Sequence, residues 1–225
     1  MEAKRAAAER AVSYVTDGMV VGLGTGSTAN WAIRALGEGV KAGLRIKAVA
    51  SSVASEQLAL EAGIAITDFS ALSRIDVTID GADEVDPEAN LIKGGSGALL
   101  REKILAYNSR QFIVVVDEAK LVDTLGKFPL PVEIAPFAAA LTLRQLQRLG
   151  CQASIRHQGG ERFVTDNANL VADCSFGIIA SPGKLYEQLA LLPGVMEQGL
   201  FLQPMVSRLI IGYLDGRVED RWLQR

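Results

Sequence analysis

A chain of 225 residues, 49% hydrophobic and 22% charged, is long enough to bury one large core or a large and a small one, and its composition excludes a disordered protein. A net charge of -3 with no cluster of Lys and Arg argues against nucleic acid or an anionic membrane as the main partner and leaves small molecules. No run of about 18 apolar residues and no basic start leading into an apolar stretch is present, so the expected location is cytoplasmic.

Up to about residue 127 short β-rich runs alternate with helical segments. The pattern predicts a helix over 2–16, strand 19–23, helix 27–42, strand 45–50, helix 53–62, strands 64–67 and 75–79, a helix over 98–108 and strand 111–116. Such alternation implies right-handed crossovers and a parallel sheet covered on both faces, a doubly wound α/β domain. Pro129 and Pro131 then interrupt the pattern and mark a second unit. That unit reads as strand 132–134, helix 138–149, strand 152–156, a hairpin-like pair 162–165 and 170–172, and a helix over 182–192. The order suggests a small antiparallel sheet with helices on one face. Residues 206–214 read as a strand returning to the first sheet. The expected division is a Rossmann-like catalytic domain of 1–127 plus 203–225, and a smaller α+β domain of 128–202.

Gly22-Leu23-Gly24-Thr25-Gly26-Ser27-Thr28-Ala29 joins a strand to a helix capped by Ser27 or Thr28. Glycines allow a tight turn, and the free N–H groups and helix dipole favour an anion, naturally a phosphate; packing alone also favours glycine in such a turn. A phosphate-cradling NTPase loop requires Gly-Lys-Ser/Thr, and no lysine follows Gly26. Gly24-x-Gly26-x-x-Ala29 satisfies the relaxed dinucleotide pattern, but the next strand ends in Ser51-Ser52 where an acid is needed for the ribose. That hydroxyl-rich end suits a polyol or phosphate, and no nicotinamide cofactor is expected.

Asp80-Gly81-Ala82-Asp83-Glu84 begins where an apolar strand ends, the position at which open α/β sheets hold ligands. Gly81 lets the backbone fold so that Asp80 and Asp83 face one ligand, as hydrogen bonding and proton exchange with sugar hydroxyls require; an acidic turn with a capping Asp is the plain alternative. Asp80, Asp83, Glu84 and Asp86 do not follow the calcium-loop order, and no metal is expected.

Lys93-Gly94-Gly95-Ser96-Gly97 precedes a helix, so it offers a second anion-holding turn beside an ammonium, suited to a developing oxyanion. Glu102 lies just inside that helix. A carboxylate facing a partly desolvated pocket has its pKa raised toward neutrality, the condition for taking a proton from carbon; on an exposed face it is an ordinary helix partner. Lys120 ends another strand and either closes over a phosphate or is solvated. A single histidine, His157, disfavours imidazole chemistry and multi-histidine metal sites. Cys151 and Cys174 lack CxxC spacing and read as buried thiols in a reducing compartment.

Together these motifs closely resemble ribose-5-phosphate isomerase of type A. The matching segments are the loop 22–29, Asp80 to Glu84, Lys93-Gly94-Gly95, residues 99–104, Asp117-Glu118-Ala119-Lys120 and residues 125–133, with 165–169, 193–195 and 199–201 continuing the likeness. The resemblance implies cofactor-independent interconversion of D-ribose 5-phosphate and D-ribulose 5-phosphate in the pentose phosphate pathway, by a homodimer or homotetramer. It implies Glu102 as the general base acting through a cis-enediolate. It further implies that Asp80 and Asp83 handle hydroxyls and ring opening and that Lys93 steadies the enediolate oxygen. The substrate-contacting set it implies is Thr25, Gly26, Ser27, Thr28, Asp80, Gly81, Ala82, Asp83, Lys93, Gly94, Gly95, Ser96 and Lys120. Ser96 stands where the family usually has glycine, Phe176-Gly177-Ile178-Ile179 replaces a segment containing His-Gly, and the sequence after Phe201 diverges. An N-terminal phosphate contact from Lys4 or Arg5 is left open.

Two other readings compete. A sugar-phosphate sensor on a related fold predicts binding without turnover, but the chain leaves no room for a DNA-binding module and a sensor has no need of Glu102. Amino-sugar phosphate deamination or CoA transfer would betray itself by ammonia or an acyl-CoA product.

Overall fold

The computed structural model describes residues 1–223; Gln224 and Arg225, the end of the segment 203–225, lie outside the described residues. In chain order the elements begin with α1 (Glu2–Val12), β1 (Val20–Leu23), α2 (Ser27–Lys41), β2 (Lys47–Ala50), α3 (Val53–Glu61), β3 (Ile75–Asp80), β4 (Glu84–Val85), β5 (Leu91–Ile92), α4 (Leu99–Tyr107) and β6 (Ser109–Asp117). They continue with β7 (Leu130–Ile134), α5 (Ala139–Arg148), β8 (Gln152–Ile155), β9 (His157–Gln158), β10 (Glu161–Arg162) and β11 (Leu170–Ser175). The last are α6 (Pro182–Ala190), β12 (Val195–Gln198), β13 (Leu200–Phe201), β14 (Arg208–Gly212) and β15 (Val218–Trp222).

The fold is α/β, with a parallel sheet and a second, smaller α+β unit. One compact unit comprises Met1–Ala82, Arg101–Lys120 and Pro204–Arg225; the other comprises Asp83–Leu100 and Leu121–Gln203. Residues 83–100 and 121–127, which the sequence pattern groups with the first domain, therefore cluster with the second. The reason is pairing: β4 and β5 form a three-stranded sheet with β13, and Val122 N–H donates to Val85 O at 2.9 Å.

In the first unit the strand order is β15-β14-β6-β3-β1-β2, parallel except for the antiparallel edge strand β15. Side chains alternate across such a sheet. Val21, Leu23, Val77, Ile79, Ile113 and Val115 accordingly share a core with Ala7, Ala8 and Ala11 of α1, Ile33 and Leu36 of α2, and Ala59 of α3. Leu105 of α4 forms a separate cluster with Val49 and Ile75. The alanine face of α1 permits close approach to β14: a Cβ on Gly212 would lie 2.0 Å from the Ala3 carbonyl oxygen. Residues 206–214 do return a strand, β14, to this sheet, whereas the strand expected over 64–67 is reduced to a single bridge between Ala48 and Ile66.

The second unit holds an antiparallel sheet ordered β12-β7-β11-β8, with a core that includes Val132, Ile134, Leu146, Leu170, Ala172, Leu185 and Leu189. Both cysteines are buried there and free. Pro131, read from sequence as a breaker, lies inside β7. It is tolerated because the β12 ladder stops at Val132, one residue short of the missing N–H. The expected hairpin of 162–165 with 170–172 contracts to one bridge, Val164 to Leu170, since β10 pairs with β9 and β11 with β7 and β8.

Candidate active site

In the first unit β1 and β3 are parallel neighbours, so the turns at their carboxyl ends lie side by side. A Cβ on Gly24 would stand 2.1 Å from the Asp80 carboxyl carbon, and only glycine allows that approach. The Asp80 Oδ1 accepts N–H bonds from Thr25 at 3.1 Å and from Gly81 at 2.7 Å, which fixes a fully buried carboxylate at the strand end. Gly81 also lies near Thr28, whose Cβ would be 3.6 Å from a Cβ on that glycine.

Gly26, with φ 111°, caps α2 without a side-chain acceptor, so the first N–H groups of that helix have no cap of their own. Lys4 of α1 reaches this helix end, its Nζ donating to Ser27 Oγ at 3.1 Å and lying 3.6 Å from Asp117 Oδ2. The Thr25 hydroxyl is bound into a cluster with the hydroxyls of Ser51 at 2.7 Å, Ser52 at 2.8 Å and Ser55 at 3.2 Å. The hydroxyl-rich strand end thus braces the glycine loop, and Ser55 Oγ completes the brace by donating to Gly24 O at 2.7 Å. Lys120 ends a 3-10 turn, Glu118–Lys120, and is half-buried.

Glu102 sits in the first turn of α4 and is 1% exposed. It is one turn from Leu105, the residue α4 packs against Val49 and Ile75, so the same helix stripe carries both. This excludes the ordinary surface role that a lone helical glutamate usually has.

In the second unit Asp83 N–H donates to Ile92 O at 2.8 Å, and its Oδ2 accepts the Gly95 N–H at 2.8 Å. A Cβ on Gly95 would lie 2.6 Å from Asp83 Oδ1, so this glycine is also demanded by a carboxylate. Lys93 is 2% exposed; its N–H donates to Gly199 O at 2.8 Å and its ammonium lies 5.3 Å from the Phe201 ring centre. Gly94 is buried, whereas Gly95 and Ser96 are exposed.

Glu84 and Asp86, weighed from sequence as cation ligands, have structural work instead. Glu84 accepts the Gly126 N–H at 2.7 Å and the Phe128 N–H at 2.5 Å. Asp86 closes a turn through the Asn90 N–H at 2.7 Å and side-chain amide at 2.9 Å; burial pushes its carboxyl up, against those bonds. No group of three or more His, Cys, Asp or Glu is placed to hold a metal among the described residues.

Of the sequence-derived set, Thr25, Gly26, Ser27, Thr28, Asp80, Gly81, Ala82, Glu102 and Lys120 belong to the first unit, and Asp83, Lys93, Gly94, Gly95 and Ser96 to the second. The structure brings together Thr25 with Asp80 and Gly81, and Asp83 with Gly95. Sequence reasoning missed Arg156, whose Nη1 donates to Gly94 O at 3.0 Å and Gly95 O at 3.1 Å. No local spacing could have found a contact between residues 61 and 62 positions apart. His157, exposed on β9 with Nδ1 2.9 Å from Ile155 O, contributes to none of these contacts.

Residues 47–216 match the family model of ribose 5-phosphate isomerase A (phosphoriboisomerase A). Ribose-5-phosphate isomerase A 1 of Oceanobacillus iheyensis is 47% identical over 213 residues, covering 94% of this chain and 95% of the relative. Among solved structures, ribose 5-phosphate isomerase from Plasmodium falciparum is similar at TM-score 0.95 and 34% identity over 100% of both chains. A D-ribose-5-phosphate isomerase in complex with phospho-erythronic acid is similar at TM-score 0.93 and 39% identity over 98% of both chains.

Proposed function

Because the chain belongs to the ribose 5-phosphate isomerase A family and is an isomerase of that sugar phosphate, we propose that it interconverts D-ribose 5-phosphate and D-ribulose 5-phosphate through a cis-enediolate, with Glu102 carrying the proton between C2 and C1. The observation that carries this reading is the burial of Glu102 in the first turn of a helix packed on the sheet. A carboxylate so held has one orientation and little competing water, as a base acting on carbon needs.

The steps balance without an outside reductant. Glu102 takes the C2 proton of the open-chain aldose, the electron pair forms the C1–C2 double bond, and the former aldehyde oxygen becomes an oxyanion. The proton then returns to C1 while the C2 hydroxyl passes its own proton to the C1 oxyanion and becomes the ketone, so C1 ends as an alcohol carbon and one carbon is reduced as its neighbour is oxidised. Lys93 stabilises the oxyanion, supported by its burial and by the glycine turn that follows it. Asp80 and Asp83 handle the hydroxyls and ring opening, Asp80 being held by the N–H groups of Thr25 and Gly81 and Asp83 by that of Gly95. Ser27, Thr28 and Lys120 hold the phosphate with the uncapped start of α2, and Lys4 joins them through Ser27.

No described helix is long and apolar enough to cross a membrane. We propose that the enzyme works in the cytoplasm as a homodimer or homotetramer. The test is turnover of ribose 5-phosphate by the purified protein against a panel of amino-sugar phosphates and acyl-CoA acceptors. Isomerisation without ammonia or acyl-CoA product supports the reading; ligand binding with no turnover would replace it with the sensor.

A further inference from the structure

Arg156 is a half-buried guanidinium used on every side. Its Nε and Nη2 bind Asp173 at 2.9 and 2.5 Å, and its Nη1 donates to both Gly94 O and Gly95 O. Its plane lies over Phe163, 5.7 Å from the ring centre. Phe163 in turn fills the space beside Gly97, where a Cβ would stand 2.3 Å from its Cε1. The turn that follows Lys93 is therefore gripped at its carbonyls by one arginine and at its end by one aromatic ring.

The consequence follows from peptide geometry. In a trans peptide the N–H points opposite to the C=O of the preceding residue, and the described chain has no cis bond. By drawing the carbonyls of Gly94 and Gly95 to one side, Arg156 turns the N–H groups of Gly95 and Ser96 away from itself. The first of these meets Asp83 Oδ2. Gly94 has φ 104°, so the conformation that Arg156 selects is one among many open to a glycine-rich turn.

We infer that Arg156, locked by Asp173, is a positioning residue that holds the Lys93–Gly97 turn in the orientation needed to stabilise the enediolate. The inference rests on the oxyanion role proposed above for Lys93 and its turn. A planar fork is required because two carboxylate oxygens and two carbonyls are satisfied at once, which lysine cannot do.

The test compares wild type with Arg156→Ala and Arg156→Lys, measuring kcat, KM, the thermal midpoint and the affinity for phospho-erythronic acid, whose carboxylate mimics the enediolate oxygens. The expected result is a kcat lowered by about 10- to 100-fold with KM changed little, since a preorganised turn acts on the developing charge. Affinity for phospho-erythronic acid should fall by a similar factor, and millimolar guanidinium should restore kcat in Arg156→Ala. If alanine prevents folding, Arg156→Lys carries the comparison. Unchanged kcat and inhibitor affinity would overturn the inference, as would a lowered thermal midpoint with kcat insensitive to guanidinium. Full turnover by Glu102→Gln would refute the base assignment instead, and the calorimetric affinity for phospho-erythronic acid would still decide the role of Arg156.

Discussion

Gly24 and Asp80 stand so close that a Cβ at the glycine would fall 2.1 Å from the carboxyl carbon. The substitution Gly24→Ala must therefore push Asp80 aside and break its 3.1 Å bond from Thr25 N–H. Misplacing a reacting group by about 1 Å costs roughly 100-fold in rate, so kcat should drop by about that factor. Overpacking should cost a further 1–3 kcal/mol or so of stability. Steady-state kinetics with a urea titration checks both, and a variant with native kcat would show that Asp80 has no fixed role.

Glu84 is a test of structure without chemistry. Its carboxylate, 2% exposed, receives N–H bonds from Gly126 and Phe128, and Glu84→Gln would set an amide NH2 against one of those donors. Hydrogen bonds to a charged group are worth about 1.5–3 kcal/mol, so the unfolding free energy from a urea titration should fall by about that much and the midpoint should drop with it. An unchanged midpoint would mean that the two amides find other acceptors.

Asp220 ties β15 to α1 and β14 and should set the acid limit of stability in the first unit. Burial alone would raise its carboxyl, but hydrogen bonds from Tyr14, Arg208 and Arg10 outweigh that and hold it below the usual range. Its unfolded value is about 3.9, so its stabilising contribution is fully present above that pH and is lost as pH falls through the lower folded value. Asp220→Asn should lower stability at neutral pH, by about 1 kcal/mol for a partly exposed network. The difference from wild type should vanish in strong acid. Thermal midpoints across the acid range give the answer, and a gap that persists at the lowest pH would contradict the assignment.

The sheet was legible because β1, β3 and β6 are apolar runs, the first leading into Gly24 and the others ending in Asp80 and Asp117, a pattern carried by neighbouring residues. The β4, β5 and β13 strands were not, since two-residue strands have no period and their pairing joins Leu91 to Phe201 across the sequence. That pairing is why residues 83–100 cluster with 121–203, a grouping that local pattern does not display. Gly24 and Gly95 were readable as turn residues, but that each is required by the carboxylate beside it, Asp80 and Asp83, needed the fold. The burial of Glu102 needed the fold, because a helix face is defined by what packs on it. The grip of Arg156 on Gly94 was invisible for the same reason.

The proposed mechanism depends above all on Glu102 moving hydrogen between C1 and C2. It is tested most directly by following deuterium uptake at C1 of ribulose 5-phosphate in deuterium oxide with wild type and Glu102→Gln, alongside binding of phospho-erythronic acid. The variant should still bind the acid but exchange hydrogen about 100- to 10,000-fold more slowly. Exchange at the wild-type rate by the variant would contradict it.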